Sequence, residues 1–333
     1  MSRITYLIGA GASFNALPIV EKIPERLAGF ITEMESDYLR IGVGHYEDLS
    51  ISGLQEPISE YQNRMIQNLK WLHGESKKNA SIDTLAKKLF LKGDSKLVDL
   101  KIGLSLFFAF EQIKNEPEPR YDAFFASILD SNLKLPDRLK ILSWNYDSQI
   151  EISYSGFCDS DDIRLCSQRL GVYTKSDNDP PGAINIFKIN GTTGYRPQTE
   201  KHHKLFLKTK KATVDLNLAH SLIRSYAESS LSKTDQLLSF AWENEISNRI
   251  IDEINNNTYE TEVLVVVGYS FPYFNREVDR KIIGKMENLK KVYIQDPNAK
   301  DIIERFESVK PDLGEIKLTP ITYTKQFLLP NEL

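Results

Sequence analysis

The feature that most restricts the fold lies in the first thirteen residues. Ile4 to Ile8 make a short apolar strand candidate, and Gly9-Ala10-Gly11-Ala12-Ser13 follows it directly. Glycines placed straight after a first strand let the backbone approach a pyrophosphate, and a helix beginning beyond them favours an anion. The third glycine of the usual dinucleotide fingerprint is missing, and a tight structural turn has the same form. Position favours the ligand reading, because open α/β sheets bind ligands outside the carboxyl ends of their strands.

The rest of the chain carries the same alternation. A helix is expected from about Ala16 or Pro24 to Met34, a loop near Gly42 to Gly53, and helical spacing from about Leu54 to Leu129. Within that block Ser81-Ile82-Asp83 offers an N-cap. Strand signals return at Leu139 to Ser143 and Ala183 to Ile189, with a turn over Ser176 to Gly182 between them. A long helical region is expected from about Val214 to Ile254. Val263-Leu264-Val265-Val266-Val267 is the most apolar run and suits a central parallel strand buried on both faces. Val292-Tyr293-Ile294 is another strand, and Pro320 to Thr324 reads as a possible edge. The expected fold is therefore α/β, a Rossmann-like doubly wound parallel sheet with a helical insertion at about 54–130 in a single domain of 333 residues.

Composition narrows the function classes. Residues total 42 basic and 46 acidic, a formal charge of −4, with 41% hydrophobic and 10% aromatic residues. A substantial core is affordable, and direct nucleic-acid binding, which calls for a basic excess or stripe, is not expected. Cys158 and Cys166 are the only cysteines, too few for a four-cysteine zinc ribbon. They read as structural or incidental thiols, with one disulfide conceivable, and such low usage fits a reducing compartment. No signal peptide or membrane-length apolar run is evident, so a cytoplasmic location is expected and no membrane partner.

Three further strand ends carry polar turns. Leu142-Ser143-Trp144-Asn145-Tyr146-Asp147 sets an amide and a carboxylate two residues apart, where they either read a polar ligand or cap the next helix. Lys188-Ile189-Asn190-Gly191-Thr192-Thr193-Gly194 and Val267-Gly268-Tyr269-Ser270-Phe271-Pro272 are each compatible with ordinary turn chemistry. Four such turns, each closing a strand, favour a shared site.

Taken in order, Gly9 to Ser13, Asn145-Tyr146-Asp147, Asn190-Gly191, Gly268-Tyr269-Ser270-Phe271 and Val292-Tyr293-Ile294-Gln295-Asp296 resemble the signatures of the sirtuin-like NAD-binding family. The resemblance is closest to a bacterial branch of NAD hydrolases in anti-phage defence, which Ser81-Ile82-Asp83-Thr84 also resembles. It spans about Ile4 to Asp296. It implies that Gly9, Ala10, Gly11 and Ser13 hold the pyrophosphate. Asn145 would orient the nicotinamide ribose or the attacking water, and Asp147 would contact the carboxamide. Gly191 would belong to the cofactor site beside Asn190, Gly268 and Ser270 would line the adenosine half, and Asp296 would lie near the adenine.

Two departures from that family stand out. Asn190 occupies the position where members usually have histidine, and an amide cannot take a proton as an imidazole does. His202 and His203 follow nearby, although two histidines in a Lys-rich stretch read as solvated. The absent zinc ribbon argues against lysine deacylation, and no metal is expected. The resemblance thus implies hydrolysis of NAD to nicotinamide and ADP-ribose, with Asn145, Asp147 and Asn190 as catalytic candidates. The alternative is a subunit that binds NAD or ADP-ribose without cleaving it. A homo-oligomer and a separately encoded ATPase or sensor are the partners this reading suggests.

Overall fold

The computed structural model describes residues 2–41, 56–174, 183–197, 204–210, 212–231, 234–240 and 242–333. The loops expected at 42–53 and 176–182, and His202 and His203, lie outside the described residues.

The elements run in chain order as follows. Strand β1 (Ile4–Ile8) precedes helices α1 (Ile23–Met34), α2 (Ile58–Lys78), α3 (Ile82–Lys92), α4 (Lys96–Lys114) and α5 (Pro119–Ile128). Next come β2 (Leu139–Ser143), α6 (Gln149–Ser155), α7 (Ile163–Leu170), β3 (Val172–Thr174), β4 (Ile186–Lys188), β5 (Gly194–Pro197) and β6 (Lys204–Leu205). The last part holds α8 (Leu216–Ser229), β7 (Thr234–Gln236), α9 (Asn244–Thr258), β8 (Val263–Val267), α10 (Arg276–Ile283), β9 (Lys291–Gln295), α11 (Ala299–Val309) and β10 (Lys317–Ile321). Residues 1–15, 117–192 and 239–333 form one compact unit, and residues 16–116 and 193–238 form a second. Helices α2 to α4 of the expected insertion belong to the second unit, whereas α5 belongs to the first.

The first unit is a doubly wound α/β fold of the Rossmann kind. Its seven strands lie in the order β10-β9-β8-β1-β2-β4-β3, and every pairing is parallel. Side chains alternate between the two faces, as a pleated strand requires. Ile4, Tyr6, Ile8, Val263, Val265 and Val267 meet Phe124 and Phe125 of α5, Ile150 of α6 and Leu170 of α7. Leu7, Leu264, Val266, Val292 and Ile294 meet Ile250 and Ile254 of α9, Ile282 of α10 and Phe306 of α11. Burial on both faces explains why Val263–Val267 is apolar without alternation. Strand order reverses between β1 and β8, which makes the carboxyl ends of that pair the topological switch point.

The second unit is mainly helical. Ser81 caps α3 as expected, its Oγ accepting the Thr84 N–H at 3.1 Å. Phe30 of α1 stacks on Phe110 of α4 at 4.3 Å. The helix expected from Val214 to Ile254 is broken, because β7 separates α8 from α9. Thr234 Oγ1 donates to the carbonyls of Ser229 and Leu231 at 2.6 and 2.9 Å, closing α8, and β7 then pairs antiparallel with β5. No described helix is long and apolar enough to cross a membrane.

Candidate active site at the switch point

The turn after β1 is shaped by its neighbour after β8. The Gly9 N–H donates to the Val267 carbonyl at 3.0 Å, and the Gly11 N–H donates to the Gly268 carbonyl at 2.9 Å. A Cβ on Gly9 would stand 2.6 Å from the Gly268 oxygen, and one on Gly11 would stand 2.8 Å from the Gly268 Cα. Gly268 itself sits at φ 58°, in the left-handed region. These glycines therefore let two loops close on each other at the switch point. The Gly9 and Gly11 amides are thereby bonded to the β8 turn.

One expectation changes here. No long helix begins at the turn: Ala10–Ser13 form a single 3₁₀ turn, and α1 starts only at Ile23, in the other unit. The Ala12 N–H is already bonded to the Gly9 carbonyl at 2.9 Å. The helix-end field expected to hold an anion is thus confined to four residues. What fixes the turn is Arg120 of α5. Its Nη2 donates to the carbonyls of Gly11 and Ala12 at 3.0 and 2.9 Å, while Nε pairs with Glu118 at 2.6 Å. Glu118 also accepts from the Asn15 N–H at 3.0 Å and Asn15 Nδ2 at 2.8 Å. Burial works to raise the Glu118 carboxyl, but the Arg120 and Asn15 bonds outweigh it and hold it below its ordinary value.

The β2 turn delivers the polar pair onto this frame. Asn145 Nδ2 donates to the Gly9 carbonyl at 3.0 Å and lies 3.4 Å from Ser13 Oγ. Ser13 Oγ donates to Asp147 Oδ2 at 3.0 Å, and Asp147 Oδ1 accepts the Gln149 N–H at 3.0 Å. Asp147 therefore satisfies the first amide of α6 and ties that helix start to the glycine turn through Ser13. Burial raises its carboxyl, while Lys188, the Gln149 N–H and Ser13 work to lower it. Lys188, at the end of β4, donates to the Asp147 carbonyl and pairs with both Glu151 oxygens at 2.9 and 3.0 Å. Both charged side chains are buried, Lys188 at 1% and Glu151 at 3% exposure.

Asn190 and Gly191 close the group from β4. Asn190 Nδ2 donates to the Trp144 carbonyl at 2.9 Å, while its buried Oδ1 has no partner among the described residues. Gly191 turns at φ 71°. Contacts thus join Gly9, Gly11, Ser13, Asn145, Asp147 and Gly268, and link Asn190 through Trp144. Ser270 and Asp296 lie beyond this cluster, at the ends of β8 and β9. The Ser270 carbonyl accepts from Arg305 of α11 at 3.1 Å, and Asp296 Oδ1 accepts the Asn298 N–H at 2.8 Å.

Several supporting residues have no role implied by the resemblance. Lys188 was visible as the one charge in the apolar run Ile186-Phe187-Lys188-Ile189, but its partner Glu151 lies in a helix and shares no motif with it. Trp144 and Tyr269 stack with ring centres 5.6 Å apart, bridging the β2 and β8 turns. Tyr269 Oη in turn donates to Asp279 Oδ2 at 2.8 Å. Burial pushes the Asp279 carboxyl from its ordinary 3.8 to about 8.

That shift has a definite sign. Between about pH 4 and pH 8 the folded protein holds a proton on Asp279 that the unfolded chain has lost. This group's contribution to stability therefore falls as pH rises through that window, by about 1.4 kcal/mol per pH unit. Asp279→Asn, which imitates the neutral form, is expected to remove that slope from urea unfolding measured between pH 5 and 8. Equal slopes for the two proteins would show that the carboxyl is ionised in the fold.

Among the described residues, no group of three or more His, Cys, Asp or Glu side chains is placed to hold a metal ion. No protein-family model matches the chain, and no curated protein matches it. Among solved structures, that of Sir2Tm bound to a propionylated peptide is similar over 97% of this chain and 89% of that one. The identity is 10% and the TM-score 0.41.

Proposed function

We propose that this protein is an NAD glycohydrolase whose site lies at the β1/β8 switch point. The observation that carries the reading is the convergence of Gly9, Ser13, Asn145 and Asp147 in one hydrogen-bonded group where a doubly wound sheet takes its ligand. The partnerless Oδ1 of Asn190 fits a ligand hydroxyl, since a buried acceptor gains most from a donor brought to it. In the reaction, water adds to the ribose carbon as the bond to nicotinamide breaks, and the water's second proton leaves to solvent. Nicotinamide departs neutral from a cationic glycoside, so the leaving group needs no acid. The protein's part is to hold ribose and water in line, a task for fixed amides and a buried carboxylate.

The residue pattern that resembles defence NAD hydrolases supports a role in draining the cofactor of an infected cell. With that role we propose cytoplasmic residence, self-assembly, and control by assembly or by a separate ATPase or sensor protein. The test is nicotinamide release from NAD by the pure protein, alone and with such partners. Asn145→Ala is expected to lower the rate by about 100-fold, the scale of loss when a positioning contact is removed. Tight NAD binding without release under every condition would overturn the proposal.

One observation favours a second reading, binding without turnover: Asn190 is an amide anchored to the Trp144 carbonyl and cannot accept a proton. Asn190→His separates the two readings. Activity confined to that variant would make the natural protein a binder.

A further inference from the structure

The two cysteines, apart from the site in every reading so far, meet in the first unit. The loop between α6 and α7 brings them together. Asp159 reverses the chain at φ 48°, a left-handed conformation that Asp adopts more readily than most residues. Asp162 then caps α7, its Oδ1 accepting the N–H groups of Arg164 and Leu165 at 2.8 and 3.2 Å. This start places Cys166 in the first turns of α7, with its sulfur 3.6 Å from that of Cys158. Backbone bonds fasten the loop: the Cys158 N–H donates to the Tyr154 carbonyl at 3.3 Å, and the Ser160 N–H to the Ser155 carbonyl at 3.4 Å. Arg169 Nη1 adds a bond to the Cys158 carbonyl at 3.2 Å.

The two thiols are free and differ in access. Cys166 is fully buried, whereas Cys158 is partly exposed. Bringing the sulfurs to a bond of about 2.05 Å needs an approach of roughly 1.5 Å, within reach of side-chain rotation and a small loop shift.

We propose that Cys158 and Cys166 are a redox-modification site, a dithiol that closes to an intramolecular disulfide by exchange with a small-molecule disulfide. The Cys158 thiolate attacks one sulfur of that disulfide and expels the first small thiol, leaving a mixed disulfide on Cys158. Cys166 then attacks the Cys158 sulfur and expels the second. The two protein thiols are oxidised, the small disulfide is reduced to two thiols, and the two protons lost by the protein end on those products. Access and proximity assign the roles: oxidant reaches the partly exposed Cys158 first, and the buried Cys166, its sulfur 3.6 Å away, serves as the resolving partner. The cross-link would tie α7 to the end of α6. The residue after Cys166, Ser167, donates to Glu151 Oε1 at 3.4 Å, so the modified segment touches the ion pair beneath Asp147.

The full-length protein is treated with oxidised glutathione, quenched with an alkylating reagent, and examined by intact mass and by non-reducing peptide mapping. The expected product has lost two hydrogens, carries no glutathione, and yields one linked peptide pair containing Cys158 and Cys166. Dithiothreitol restores the starting mass. Cys166→Ser is expected to trap glutathione on Cys158, because no resolving thiol remains. A wild-type protein that keeps a stable glutathione adduct, forms a disulfide between chains, or alkylates at both cysteines would overturn the proposal. None of these measurements depends on enzymatic activity.

Discussion

A Gly268→Ala protein is expected to lose about 3 kcal/mol of stability and, on the proposed function, most of the NAD binding. Two costs add at this position. The left-handed φ of 58° costs a residue with a Cβ about 1 kcal/mol or more. The new methyl would then stand 2.4 Å from the Gly11 carbonyl carbon and 2.5 Å from the Ala12 nitrogen. Those are backbone atoms with no rotamer to retreat into, and overpacking of this kind costs about 1–3 kcal/mol. Relief requires the two loops to part, which moves Gly9 and Ser13 away from Asn145 and Asp147. Gly93→Ala serves as the control: its φ of 62° is similar, but nothing lies within 4 Å of the added Cβ. Urea unfolding should show a small loss for Gly93→Ala and a much larger one for Gly268→Ala. Equal losses would mean that the β1 and β8 turns are not held against each other.

Lys188→Met is expected to cost about 3–5 kcal/mol, the usual penalty for leaving a buried carboxylate without its partner. Glu151 is 3% exposed and has both oxygens on the Lys188 ammonium. The Asp147 carbonyl would lose its donor as well, and Asp147 would lose the cation that works to lower its carboxyl. The double variant Lys188→Met/Glu151→Leu tests the cause. Removing both charges avoids the stranded carboxylate, and such replacements are often neutral or stabilising. The double variant should therefore be more stable than the single one. A double variant less stable than Lys188→Met would show that packing, and not the unpaired charge, sets the cost.

The parts of the fold legible in the sequence are those whose burial is complete. Ile4–Ile8 and Val263–Val267 are central strands buried along their whole length, and the demand for side chains that fit a core on both faces wrote them as largely apolar runs. Leu139–Ser143 keeps enough of that pattern around Lys140 to be read. Short peripheral strands leave no such trace. Val172–Thr174 spans three residues, and β5, β6 and β7 are held by backbone pairing of mixed sequences such as Thr234–Gln236. The site divides in the same way. Gly9, Asn145 and Gly268 stand at strand ends, where position alone marks them. Arg120, Glu151 and Asp279 come from helices α5, α6 and α10 and reach the site by folding, so no local pattern announces them.

The outermost strand β10 has a consequence for how copies of this protein can meet. The Lys317 N–H and the Ile321 carbonyl are both bonded on the β9 side, so the backbone of the alternate residues Leu318 and Pro320 faces away from the sheet. Proline has no N–H to offer, and here it sits on the outward register of the rim. A strand arriving from a neighbour would find the hydrogen-bonding ladder interrupted at its middle rung. Growth of the sheet from one molecule into the next is thereby discouraged at this edge. The proposed self-assembly would have to be built from side-chain surfaces and not from a sheet shared through β10.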